Sequence, residues 1–205
     1  MVNEQLQTQP ESIQQTVESD ANVHGQAQAI TVLTAMKPGG SLFSRLVLGV
    51  LQRFPWLSLP LVRLSFIHFA HWGFITHIPD NGPPQAKERL KHHYLLFESN
   101  FNGRWDDYIE CFAQDLSLQM RLIWNTSIGF PGPLPVRTFE DYIQKNSVTA
   151  SYYWSAYPDA TTTEVLSALT LHQRFAAFRQ QVEFMSAAEF KAAYEQFLTE
   201  IQHHL

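Results

Sequence analysis

The sequence is short of cysteine, of positive charge and of long apolar runs, and each shortage removes a class of function. One cysteine, Cys111, stands in 205 residues. No disulfide can form within the chain, and the usage fits a reducing compartment. Lys and Arg number 14 against 19 Asp and Glu, for a formal net charge of -5. A general nucleic-acid binder needs a basic stripe to displace counterions from phosphates, so no nucleic-acid partner is expected. No stretch reaches the ~20 apolar residues that span a bilayer. The opening MVNEQLQTQPESIQQ has neither a basic nor an apolar segment, which reads against a secretion signal. A cytoplasmic protein, or one peripheral to a membrane, is the expectation, and the sequon Asn125-Thr126-Ser127 then carries no glycosylation meaning. HExxH, CxxC and aspartate-rich calcium motifs are missing, as are the nucleophile elbow, the phosphate loop and the dinucleotide fingerprint. No metal site is expected, and no catalytic set can be named.

What is present is mass for a core: 45% hydrophobic and 13% aromatic residues. Residues 1 to about 28 are rich in Gln, Ser, Thr and Glu and read as a disordered tail. An amphipathic helix is expected over residues 41–57. Leu42, Phe43, Leu46, Val47, Val50, Leu51 and Phe54 form an apolar arc, opposed by Ser41, Ser44, Arg45 and Gln52, with Leu48 among the polar set. Pro38-Gly39-Gly40 precede it and Pro55 ends it. Three readings stand. The helix covers the core or a dimer interface, or it binds a partner protein. Or it lies on a membrane, with Phe43, Leu46, Val50, Phe54 and Trp56 as contacts and Lys37, Arg45 and Arg53 near headgroups.

An α+β domain is expected over residues 60–205. Val62–Ile78, VRLSFIHFAHWGFITHI, alternates with period two and reads as a long strand. Val62, Leu64, Phe66, His68, Ala70, Trp72 and Phe74 form one apolar face. Arg63, Ser65, Ile67, Phe69, His71, Gly73, Ile75 and His77 form a mixed one suited to a pocket or an interface. His93–Phe101 reads as a second strand, with Leu95, Phe97 and Ser99 opposite Tyr94, Leu96, Glu98 and Asn100. A helix capped by Asn102 is expected to run to about Trp124, and a shorter one spans 139–145. Ser147–Pro158 reads as a third strand by composition. Capping boxes at Thr161–Glu164 and Ser186–Glu189 open two further helices, the last with a stripe of Phe190, Tyr194, Phe197, Leu198, Ile201 and Leu205.

This order resembles a ferredoxin-like α+β fold, with an antiparallel sheet packed on helices. The phrases His68-Phe69-Ala70-His71-Trp72, Leu95 to Gly103 (LLFESNFNG) and Ala156-Tyr157-Pro158 resemble a group of bacterial proteins that read HFARW, LLFxSNYDG and AYP. That group is related to the dimeric α+β barrel superfamily. The resemblance covers roughly residues 60–170. It implies a homodimer and the ferredoxin-like sheet, and it brings no established activity. His71 stands where the group has Arg, and Asn102 where it has Asp, so a ligand role for that Arg does not carry over.

Arg63, His71, His77, Glu98 and Asn100 are the candidate ligand-binding residues, since the face away from the helices would line a cavity for a hydrophobic or planar small molecule. His68 reads as a core histidine satisfied by hydrogen bonds; its competing role is a haem or metal ligand. An oxidative, haem-dependent enzyme of the dimeric-barrel type, using His68 or His71, is the alternative function. A scaffold using the 41–56 helix is the third. His92 and His93 read as solvated loop residues. Cys111 reads as a small buried hydrophobe with no cationic neighbour to lower its pKa.

Overall fold

A computed structural model of the chain describes residues 21–58 and 64–204. The chain divides into two compact units, one up to Asp159 and one from Ala160 onward.

The first unit is an α+β structure on a four-stranded antiparallel sheet. Its strands are β1 (Val23–His24), β2 (Ala27–Ala35), β3 (Ile67–Ile75) and β4 (Tyr94–Asn102), in the order β1-β2-β4-β3. Helix α1 (Gly40–Arg53) connects β2 to β3. Helices α2 (Trp105–Asp115), α3 (Ser117–Trp124) and α4 (Val136–Asn146) follow β4. With β4 lying between β2 and β3, the β2-α1-β3-β4 sequence is a split βαβ arrangement, consistent with a ferredoxin-like fold.

Strict alternation forms β4. Leu95, Phe97, Ser99 and Phe101 are buried on one side, while Tyr94, Leu96, Glu98 and Asn100 take the other. Facing pairs Val32↔Phe97 and Ile30↔Ser99 set the register of β2. The inner side meets α2–α4 through rings. Phe101 stacks on Tyr108 at 4.0 Å between ring centroids, Tyr108 on Phe112 at 4.5 Å, and Phe97 meets Trp124 and Trp72, each at 5.2 Å. The helix expected to run unbroken to Trp124 leaves helical geometry at Leu116 (φ -113°, ψ 23°), which is fully buried and separates α2 from α3. Arg104, not Asn102, is the N-cap of α2; Asn102 ends β4, and its side-chain amide donates to the Gln26 carbonyl at 2.9 Å.

Two expectations fail together. The expected tail is wrong for its last residues: Val23–His24 and Ala27–Ala35 are strands, and residues 1–20 lie outside the described residues. Ile30, Thr31, Val32 and Thr34 are β-branched and burial alternates along the segment, so β2 joins the sheet as a strand the sequence reading did not expect. Conversely, Ser147–Pro158 is not a strand. It makes one bridge, Ser147 to Val32, and Val148 N–H donates to the Thr31 carbonyl at 2.8 Å. Beyond that it is held by residues 22–26. Ala150 N–H donates to Asn22 Oδ1 and Ser155 N–H to His24 Nδ1, both at 2.9 Å, and Gln26 N–H donates to the Pro158 carbonyl at 2.6 Å. Gly25, at the turn between β1 and β2, has φ +64°, and a Cβ there would sit 2.2 Å from the Pro158 oxygen. Only glycine fits both demands. The loops at 127–128 and 147–148 thereby cover the outer edge of β2 where β1 does not reach.

The second unit is a helical hairpin, α5 (Thr162–Val182) and α6 (Ala187–Ile201), and both expected capping boxes are present. The Glu164 and Glu189 carboxyls are held below the usual carboxylate range by the cap hydrogen bonds. Phe178 stacks on Phe197 at 4.5 Å, with Ile201 buried beside them. Leu205, on the expected stripe, lies outside the described residues.

The ring cluster sets a stability test. Trp124→Ala removes a fully buried ring and is expected to cost about 3–5 kcal/mol in urea unfolding. Trp154→Ala, at an exposed position, is expected to cost under about 1 kcal/mol. Equal costs would mean that the core is misplaced.

Candidate functional site

One irregularity decides which side chains of β3 reach which face. The pairing jumps from Ile67↔Phe101 to Phe69↔Asn100, so β3 carries an extra residue, a bulge at His68. Beyond it the expected alternation holds. Ala70, Trp72 and Phe74 pack on the core, while His71 shares the opposite face with Glu98. Before it, Leu64 and Phe66 of the expected apolar face pack on the core, but so does Ile67, and His68 is exposed and lines a groove. The core role expected for His68 is therefore wrong, and so is the placement of Ile67 on the mixed face.

The face away from the helices brings three of the five candidate residues together. His71 Nδ1 lies 3.4 Å from Glu98 Oε2, across a directly paired register. Asn100 is next on that face of β4, opposite Phe69. His77 lies beyond the end of β3, exposed, with Nδ1 at 3.3 Å from the neighbouring Thr76 hydroxyl, and does not join them. Arg63 lies outside the described residues.

Beside this cluster runs a groove of about 660 Å³. Its floor is Ala27, Ala29 and Thr31 of β2 with Glu98 and Asn100 of β4; His68 and Phe69 line it from β3, and Tyr153, Trp154 and Ser155 from the 147–158 segment. Small residues on β2 give it depth. Phe69 is 60% exposed and Trp154 62%. Burial pushes the Tyr153 phenol above its ordinary pKa. Sequence reading misses the β2 floor, which depends on the pairing of β2 with β4, and the Tyr153–Trp154 wall, which depends on where residues 22–26 lie. The period-two pattern of Ala27, Ala29 and Thr31 is the signal that could have found the floor. Among the described residues no group of three or more His, Cys, Asp or Glu side chains is placed to hold a metal ion.

A second surface surrounds α1. The helix turns its serines inward. Ser41 Oγ lies 2.7 Å from His93 Nδ1, and Ser44 Oγ 2.9 Å from Thr126 Oγ1. His93 is thus engaged with α1, not a free loop residue. Leu48, which interrupts the polar arc on a helical wheel, packs on the core beside these serines. The apolar arc faces outward: Leu46 is 66% exposed, Trp56 64%, and Phe43, Val50 and Phe54 are also exposed. Leu118 of α3, 66% exposed, and Leu122 extend the patch, and an apolar furrow between α1 and α3 is lined by Leu46, Val50, Leu51, Leu118 and Leu122.

The charge within α1 and α3 is of one sign. The sequence has no Asp or Glu between Asp20 and Asp80, nor between Asp115 and Glu140, yet these spans hold Lys37, Arg45, Arg53 and Arg121. The Arg45 guanidinium lies 5.4 Å from the Phe74 ring centre and that of Arg53 5.7 Å from Phe54. Among the described residues none of these four cations forms an ion pair. No helix among them is long and apolar enough to cross a membrane.

In comparisons with known proteins, the chain matches no family model, no curated protein and no solved structure.

Cys111 is partly buried on α2. Burial pushes its thiol up, and the carboxylates of Asp115, Glu110 and Asp107 push it further. Less thiolate is then present at neutral pH than for an ordinary cysteine. Alkylation by iodoacetamide at neutral pH is expected to be slower than for a cysteine in an unfolded peptide. Asp115→Asn is expected to speed it; an unchanged rate would remove that carboxylate from the cause.

Proposed function

We propose that the chain is a peripheral membrane protein, without catalysis of its own, that lays α1 and α3 on an anionic bilayer. The observation that carries this reading is the inverted seating of α1, serines inward and Leu46, Val50, Phe54 and Trp56 outward. Water gains nothing from such a surface, since each Å² of apolar area removed from it is worth about 25 cal/mol. A contiguous apolar patch rimmed by polar groups marks an interaction site. Its charge favours a lipid surface over a protein. Lys37, Arg45, Arg53 and Arg121 lie on or beside its two helices, with Asp115 the one carboxylate close by in sequence, in a chain that is acidic overall. Each such cation contributes about 1 kcal/mol near an anionic leaflet. The aromatic members, Phe54 and Trp56, suit the boundary between headgroup and acyl chain.

The test is vesicle co-sedimentation of the full chain, with phosphatidylcholine vesicles against phosphatidylcholine mixed with phosphatidylglycerol. Pelleting with the mixed vesicles only, weakened as salt rises from about 0.05 to about 0.5 M, is the expected result. The double variant Leu46→Glu, Val50→Glu should stay in the supernatant while keeping the wild-type unfolding midpoint, because both side chains are exposed. Absence of binding by the wild type, or binding that the double variant retains, would refute the reading.

A further inference from the structure

We propose that the groove on the opposite side of the sheet is a binding site for a planar, positively charged small molecule, an aromatic amine in its cationic form. This goes beyond the membrane reading and does not depend on it.

The size comes first. About 660 Å³ falls among the clefts that hold small ligands, commonly about 300–1,000 Å³. The walls come next. Phe69 on β3 and Trp154 on the 147–158 segment both line the groove and both expose more than half of their surface. Among the described residues neither ring is paired with another aromatic ring, although the core side of the same sheet is a continuous set of ring contacts. The floor between them is alanine and threonine, so nothing from β2 fills the space. A flat ligand reaching these rings would cover apolar surface that now faces water.

Charge selects the sign. Among the described residues Glu98 is the one carboxylate on the lining, and no Lys or Arg lines the groove. A phosphate or carboxylate ligand would meet no fixed cation there and would face Glu98 at close range. A cation meets that carboxylate, and the ring faces of Phe69, Tyr153 and Trp154 add their attraction for positive charge. Glu98 has capacity to spare, because an ionised carboxylate offers about four acceptor sites and His71 Nδ1 takes one side at 3.4 Å. Asn100, next along β4, supplies an amide for a ring nitrogen or an exocyclic amine. The site is also built in advance. The wall bearing Tyr153 and Trp154 is tied down by Ser155 N–H to His24 Nδ1 and by Gln26 N–H to the Pro158 carbonyl. A ligand therefore need not order it.

The test uses proflavine, a planar aminoacridine cation, with the full chain and no vesicles present, read by fluorescence anisotropy. Saturable binding at one equivalent is expected. Glu98→Gln, which keeps the shape and removes the charge, should weaken it about tenfold, as a lost close cation contact does. Trp154→Ala should weaken it comparably, and Glu110→Gln, a carboxylate on α2, should not change it. The anion 2-naphthalenesulfonate should bind far more weakly than proflavine. Unfolding midpoints of all three variants serve as the folding check; should Trp154→Ala lower its midpoint, Glu98→Gln and the anion comparison still decide. No saturable binding, equal affinity for Glu98→Gln and wild type, or equal affinity for cation and anion would overturn the proposal.

Discussion

The alternation of β4 is the constraint on which both faces of the sheet depend. β4 is hydrogen-bonded on both sides, so its pleat fixes the parity of β2 and β3 together. Leu95, Phe97 and Phe101 enter the ring cluster with α2–α4 because Glu98 and Asn100 leave on the other side. A slip of one residue would drive a carboxylate into the aromatic core and turn the rings to water. The core and the groove are thus one arrangement seen from two sides. The bulge at His68 is the local exception, and it lets β3 keep Ile67 in the core while giving the groove an imidazole.

Helix α1 obeys a different rule. Its inward face is small and polar, and Gly40 comes so near Thr126 that a Cβ would lie 2.8 Å from that residue's Cβ. Serine and glycine allow this approach, and hydrogen bonds to Thr126 and His93 satisfy the hydroxyls. Close seating leaves room underneath for Leu48 but not for the other bulky residues of the helix. They go outward, and with α3 they make a surface whose composition suits an environment less polar than water.

Much of this is legible in the amino-acid pattern. Alternation locates β4 and the outer half of β3, which is enough to place His71, Glu98 and Asn100 on one face. The two capping boxes mark the starts of α5 and α6, because a hydroxyl and a carboxylate three residues apart need no tertiary partner. The apolar arc of α1 is also readable, but a wheel gives the direction of hydrophobicity and not the medium on that side. Leu48 among the serines is the hint that the polar side faces the core. Position 68 escapes such a reading because a bulge leaves no composition signal when its extra residue is not glycine. β2 is hidden beside a Gln-rich neighbour, and Ser147–Pro158 mimics a strand because aromatic, alternating residues suit a groove wall as well as a sheet. Both failures trace to contacts distant in the chain, of β2 with β4 and of residues 150–158 with Asn22 and His24, which local pattern cannot reveal.

The way that wall is held has a mechanical consequence. A strand inside a sheet takes its stiffness from two neighbours, but residues 150–158 borrow theirs from a five-residue stretch through Asn22, His24 and Gln26. The two aromatic side chains of that wall, Tyr153 and Trp154, are therefore coupled to the first hairpin of the domain. Amide exchange in the wall would follow the opening of Val23–Ala27, so the two segments, far apart in the chain, form one cooperative unit.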